Sequence, residues 1–116
     1  MITIRQALTA LDGLDLIAQH CYANSKAHGF WPVGIQRNKG EQIAFIHSEL
    51  SEALKAAYNP NDDPQCPAFS SEEIEVADVL IQLLDYCVGH NLRFGEAVIA
   101  KMKFNETRPH LHSKTS

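Results

Sequence analysis

The segment EIEVADVLIQLLDYCV, over residues 73–88, carries apolar side chains around most of the circumference of a helix. A helix that is apolar nearly all round is usually buried. Its other positions hold Glu75, Asp78, Gln82 and Asp85, which recur about once per turn at about 3.6 residues per turn. Because a polar stripe on a buried helix has to face a cleft, the segment predicts a helical core with a site beside it.

Helical spacing of apolar residues continues through the rest of the chain, and no stretch alternates strictly as a half-buried strand would. Gly13 is a weak point or a break in the first helix, while Ser70 and Glu73 have the spacing of a capping box. The 116 residues therefore suit one all-α domain, a four-helix bundle with a loose polar tail from about residue 110. The approximate helix bounds are 3–22, 41–58, 70–89 and 92–108.

The composition excludes several classes of protein. A net charge of −4 argues against a general nucleic-acid-binding surface. Cys21, Cys66 and Cys87 form no C-x-x-C pair, so neither a disulfide framework nor a zinc site is expected, and a reduced, cytoplasmic setting is favoured. The N-terminus lacks the basic start and long apolar run of a signal peptide, and no stretch is long enough to span a membrane.

Two acidic pairs, Glu49/Glu52 and Glu75/Asp78, lie on consecutive predicted helices. Side chains three residues apart share a helix face, so two adjacent helices would bring four carboxylates together. Such a group repels itself unless a cation joins it, and all-oxygen ligands suit Mg²⁺ or Mn²⁺ better than zinc. The pairs therefore predict a divalent metal site for phosphate chemistry, although acidic pairs are also common on solvated helix faces.

The position of the first pair on its helix follows from the helical wheel. Glu49 and Glu52 are expected on a flank with Phe45 and Ala56, where they face other protein rather than water. The main apolar stripe of that helix is expected at Ile43, Ile46, Leu50, Leu54 and Ala57.

Cationic and amide side chains follow one side of the fourth predicted helix. Lys101 and Asn105 project from the same face, and Arg108 extends the row by about one turn. These residues are candidates for binding phosphate oxygens, with arginine suited to a two-pronged contact. The alternative is that Lys101 lies along the apolar surface or pairs with one of the acids.

Phe30 and Trp31 are the candidates for recognising a nucleobase, because an aromatic face can stack on any base. An equally good interpretation makes them core or interface residues at one end of the bundle.

The motifs SELSEA, EVADVLIQLLDY and KMKFNETRPHLHSK occur in this order between residues 29 and 114. Together they resemble the MazG-like branch of the all-α nucleoside triphosphate pyrophosphohydrolases, which have an E-x-x-E helix, an E-x-x-D helix and a K-x-x-x-N-x-x-R-P segment. The resemblance implies a Mg²⁺-dependent homodimer or homotetramer that hydrolyses a nucleoside triphosphate to the monophosphate and pyrophosphate, as a house-cleaning activity. It assigns the metal to Glu49, Glu52, Glu75 and Asp78, and phosphate contacts to Lys101, Asn105 and Arg108.

One position departs from the family pattern. Many relatives have a second acid directly before the first metal-binding glutamate, where this chain has Ser48. Glu49 or Glu52 is then the candidate to orient the attacking water. Two alternatives remain: a pyrophosphohydrolase acting on a phosphoribosyl nucleotide, and a non-catalytic helical module whose acids form a charged interface.

Overall fold

The computed structural model describes residues 1–109, in which the regular structure is entirely α-helical. The helices are α1 (Ile4–Ala27), α2 (Lys39–Tyr58), α3 (Ser71–Gly89) and α4 (Phe94–Glu106), with one isolated antiparallel bridge between Asp62 and Ser70. The prediction of an all-α fold is confirmed. The predicted loose tail from about residue 110 lies outside the described residues.

The helix starts follow from local side-chain hydrogen bonds. The predicted capping box is present: Ser70 Oγ accepts from the Glu73 amide at 3.1 Å, and the Glu73 carboxylate accepts from the Ser70 amide at 2.9 Å. Thr3 caps α1 in the same way with Gln6. A break at Gly13 is not present, because α1 continues to Ala27.

Helix α3 lies between α1 and α2 and packs against both, whereas the principal contacts of α4 are with α1. Gly95 of α4 is buried against Leu11 and Leu14 of α1, and a Cβ at Gly95 would lie 2.7 Å from Leu11 Cδ2. The missing side chain therefore lets α4 approach α1. Helix α4 thus joins the fold mainly through α1.

The core of the single chain is small and consists mainly of short side chains. The buried apolar residues are Ala18, Ile46, Ala53, Ala56 and Leu84, and no large side chain among the described residues is fully buried. The radius of gyration is 16.6 Å, whereas a compact domain of this length has about 13 Å. Among the described residues, no helix combines the length and the apolar character needed to cross a lipid bilayer.

The prediction that α3 is buried nearly all round is wrong for the single chain. Leu80 is 53% exposed, and Val76, Ile81 and Leu83 are exposed as well. Residues of α1 and residues 81–88 of α3 line two surface cavities together, whereas Val76 and Leu80 line neither of them.

The predicted apolar stripe of α2 is also wrong in part. The buried positions are Gln42, Ile46, Ala53 and Ala56, whereas Leu50 and Leu54 are exposed. Small side chains at Ala53 and Ala56 allow α2 and α3 to approach closely, so this stripe, rather than the larger leucines, faces α3. Glu49 is half-buried on the same stripe, between Ile46 and Ala53.

Candidate metal centre and adjoining pocket

Three of the four predicted metal-binding acids converge where α2 and α3 run side by side. Glu49 of α2 and Glu75 and Asp78 of α3 each place one carboxylate oxygen within 4.8 Å of the others. Glu75 and Asp78 are one turn apart on α3, so both can face Glu49 across the helix pair. Glu49 and Glu75 are half-buried, which distinguishes them from acids on an open helix face.

Glu52 lies outside this group of three, and the prediction that it faces other protein rather than water is wrong. Its side chain is 54% exposed, and Glu52 Oε2 is 3.8 Å from Lys55 Nζ on the same helix. Pairs of this kind at the surface contribute little to stability. Glu52 therefore stands at the solvent edge of the cluster, one turn along α2 from Glu49.

The other acids disfavour the ionised form of Glu75. The pKa of Glu75 is raised above its ordinary value, first by burial and then by the nearby carboxylates of Asp78 and Glu49, with smaller effects from Glu52 and Asp63. Asp63 is a buried acid of the α2–α3 connection, held by the amides of Gln65 and Cys66 at 2.9 and 2.7 Å from its Oδ2. A bound cation would remove this mutual repulsion.

The donor set fits a hard divalent ion. All of the converging atoms are carboxylate oxygens, which suit Mg²⁺ or Mn²⁺ and suit zinc poorly. Mg²⁺ usually takes only one or two protein carboxylates and keeps its other positions for water and substrate phosphates. The three acids are thus sufficient for a site that Mg²⁺ shares with a phosphorylated ligand.

Replacing Glu75 by glutamine is expected to raise the melting temperature in EDTA and to lower it relative to wild type in Mg²⁺. A carboxyl whose pKa is raised in the folded state costs stability once the pH exceeds its ordinary value, so the neutral amide relieves that cost at about pH 7.5. Mg²⁺ at about 100 times its dissociation constant should stabilise wild type by about 2.7 kcal/mol. Thermal unfolding with and without Mg²⁺ measures both effects.

Glu72→Gln is the matched control, because Glu72 is an exposed acid on the same helix and is not part of the cluster. It should leave the Mg²⁺-dependent rise in melting temperature unchanged. An equal rise in the Glu75 variant would contradict a metal role for that residue.

The single chain does not bring the predicted phosphate-binding row of α4 to the carboxylates. Lys101 is exposed with Nζ 4.7 Å from the ring centroid of Phe104, and the Arg108 guanidinium lies 6.0 Å from the same ring. Asn105 is half-buried, and its Oδ1 is buried without a hydrogen-bond partner among residues 1–109. The main contacts of α4 are with α1, and within residues 1–109 neither Lys101 nor Arg108 forms an ion pair with the acids.

A surface pocket of about 540 Å³ adjoins the carboxylates along the same helix pair. Phe45 and Ile46 line it one turn before Glu49 on α2, and Ile81 and Gln82 line it one turn after Asp78 on α3. The remaining walls come from the end of α1 and from the connection between α1 and α2, at Cys21, Asn24, Ser25, His28, Phe30, Arg37, Gln42 and Asp85. The three acids do not line the pocket itself but lie about one helical turn from it, and the pocket and the acids together are called the groove.

The two aromatic residues singled out from the sequence occupy different positions. Phe30 lines the pocket and is exposed, so its face is accessible to a ligand. Trp31 lies behind the pocket wall, with its ring centroid 5.6 Å from that of Tyr22 and 5.2 Å from that of His90. Any side chain at Gly89 would collide with the Trp31 ring. Gly89, predicted as the end of α3, is therefore also the surface on which Trp31 packs.

Trp31 and His90 hold the polar residues of the pocket in place. Trp31 Nε1 donates to Asp85 Oδ1 at 2.8 Å, and the Arg37 guanidinium lies 4.8 Å from the Trp31 ring. His90 Nε2 lies 2.5 Å from Oε1 of the buried Gln42. Burial, followed by the charges of Lys39 and Arg37, lowers the pKa of His90, which favours a neutral ring that donates from Nε2.

Asp85 and Gln82 share the predicted polar stripe of Glu75 and Asp78, but the sequence pattern indicated no role for them. The signal was their helical spacing, which puts them on the wall of the same groove. No feature of the sequence pointed to Gln42, because its role depends on the contact with His90, which only the structure shows. Comparison with protein-family models, with curated proteins and with solved structures found no match.

Proposed function

We propose that this protein is a Mg²⁺-dependent pyrophosphohydrolase of the MazG-like type, which converts a nucleoside or deoxynucleoside triphosphate to the monophosphate and pyrophosphate. The observation that carries the proposal is the convergence of Glu49, Glu75 and Asp78 within 4.8 Å of one another, about one helical turn from a pocket. A house-cleaning role in the cytoplasm, on a canonical or damaged nucleotide, follows from the same resemblance in sequence.

The groove has the layout that a nucleotide requires. The carboxylates would hold Mg²⁺, which when bound supplies positive charge to the phosphates and makes a coordinated water a better nucleophile. The pocket begins about one helical turn away, or about 5 Å along the helix axis, close enough for a sugar to bridge the two regions. The exposed ring of Phe30 and the ring of Phe45 provide apolar faces for a base.

A water molecule in line with the departing pyrophosphate would attack the α-phosphorus, so that the bond to the bridging oxygen breaks and no covalent enzyme intermediate forms. Ser48 does not act as the base, since its Oγ donates to the Phe45 carbonyl at 2.7 Å and a hydroxyl is a poor proton acceptor. Glu49 or Glu52 then takes that role. Glu52 stands at the solvent edge of the cluster, where it can orient the water while the other acids bind the metal.

A second copy of the chain would complete the site. Apolar residues of α3 beside the carboxylates are exposed, among them Val76, Leu80 and Leu83, and so are Met102 and Phe104 of α4. If α4 of one copy covers this face of another, it brings Lys101, Asn105 and Arg108 towards phosphates held at the acids. The bundle would then be finished by a homodimer or homotetramer.

A screen for release of pyrophosphate from nucleoside triphosphates, run in Mg²⁺ and in EDTA, tests the proposed reaction. We expect pyrophosphate and monophosphate in equal amounts, only with the metal. Release of inorganic phosphate and a diphosphate would contradict cleavage at the α-phosphorus. Phosphoribosyl nucleotides belong in the same panel, because preference for them would instead identify a biosynthetic enzyme.

A further inference from the structure

We propose that Asp85 determines which base the pocket accepts, and that it selects bases with an exocyclic amino group over uracil and thymine. The inference rests on the proposed function for its substrate, but it concerns a carboxylate that the metal site does not use. The structural basis is the hydrogen bond between Trp31 and Asp85 at the wall of the pocket.

Trp31 fixes the orientation of the Asp85 carboxylate. The indole N–H of Trp31 can only donate a hydrogen bond, and it donates to Asp85 Oδ1 at 2.8 Å. The Trp31 ring cannot move freely, because it is packed against Gly89, Tyr22 and His90. Within residues 1–109 Asp85 forms no ion pair, so Oδ2 keeps its acceptor capacity towards the pocket that Asp85 lines.

An oriented carboxylate oxygen distinguishes the edges of the bases. Cytosine and adenine present an amino group that can donate to Oδ2, an arrangement by which acidic side chains recognise cytosine in nucleic acids. Uracil and thymine present a keto oxygen at the equivalent place, which the carboxylate repels. Gln82, one turn from Asp85 on the same wall, has an amide that can satisfy the neighbouring acceptor of the base.

The indole donor also predicts the result of changing Asp85 to asparagine. The side-chain amide oxygen would face Trp31 Nε1, because that donor needs an acceptor, and the amide nitrogen would then face the pocket. The wall would thus present a donor in place of an acceptor. The preference should therefore invert towards keto bases rather than merely disappear.

The test compares the pairs dCTP with dUTP and dATP with dITP, since each pair differs mainly in an amino group or a keto oxygen. For wild type, kcat/KM should favour the amino member by about 10- to 100-fold, the range for a hydrogen bond to a charged group. Asp85→Asn should favour the keto member. Adding Trp31→Phe to that variant removes the indole donor, so the ratio should fall to within about threefold of one.

Asp15→Asn is the matched control, because Asp15 is an exposed acid of α1 that does not line this pocket. It should leave both ratios as in wild type. A wild-type ratio within about threefold of one, or an Asp85→Asn ratio equal to that of wild type, would overturn the proposal. Thermal unfolding of each variant shows that it is folded.

A second readout separates this inference from the proposed reaction. Trp31 is the only tryptophan of the chain, so its fluorescence reports on the Asp85 wall in titrations with dCMP and dUMP. Tighter binding of dCMP supports base selection by Asp85 even if no triphosphate is cleaved, in which case the proposed hydrolysis fails alone. Cleavage of triphosphates with equal binding of the two monophosphates leaves the hydrolysis intact and overturns the role of Asp85.

Discussion

Asp78→Asn is expected to reduce Mg²⁺-dependent release of pyrophosphate by about 100-fold or more. Mutation of a residue that only supports a metal ligand already lowers metal affinity or activity by about 10- to 100-fold. The substitution keeps the size of the side chain and removes one of three charges that lie within 4.8 Å of one another. Initial rates over a range of Mg²⁺ concentrations measure the effect. Part of the activity should return at high Mg²⁺ if the loss is mainly in metal affinity.

Asp12→Asn provides the matched control, because Asp12 is exposed on α1 and is not one of the converging acids. It should retain the wild-type rate and the wild-type dependence on Mg²⁺. Unchanged turnover in Asp78→Asn, with folding verified by its melting temperature, would remove this residue from the site.

Leu80→Gln is expected to dissociate the proposed homo-oligomer and to lower the melting temperature. In the single chain Leu80 is 53% exposed. A substitution at such an exposed position usually changes the free energy of unfolding by no more than about 0.5 kcal/mol. In an assembly that covers α3, an amide without partners would be buried in every copy, at a cost of about 1–3 kcal/mol each. Light scattering for molar mass and unfolding at several protein concentrations distinguish the two situations.

Val33→Gln is the comparison for this experiment, because Val33 is 94% exposed in the connection before α2. It should change neither the molar mass nor the melting temperature. A wild-type protein that stays monomeric, with a melting temperature independent of concentration, would contradict completion of the site by a second copy.

Local signals in the sequence predicted the helices well. Ser70 and Glu73 gave the start of α3 because a capping box needs only residues within one turn. Which face of each helix is buried was harder to predict from the sequence, since burial depends on which other helices pack against it. Leu50 and Leu54 were predicted to face the core, but Ala53 and Ala56 do so, because close approach of α2 and α3 favours small side chains.

The site shows the same division between what is local and what depends on the fold. Convergence of Glu75 with Asp78 follows from helical spacing, and proximity to Glu49 requires only that α2 and α3 be neighbours. The exposure of Glu52 and the contact of Trp31 with Asp85 could not be predicted, because they depend on the relative rotation and register of separate segments. The row at Lys101, Asn105 and Arg108 stays a prediction for the assembled protein.

Binding of Mn²⁺ measured by electron paramagnetic resonance, with Mg²⁺ as competitor, tests most directly whether the three acids form a metal centre. Wild type and Glu72→Gln should bind the ion saturably and release it to Mg²⁺, whereas Glu75→Gln and Asp78→Asn should bind it at least about tenfold more weakly. Equal binding by all four proteins would show that these carboxylates do not hold the metal.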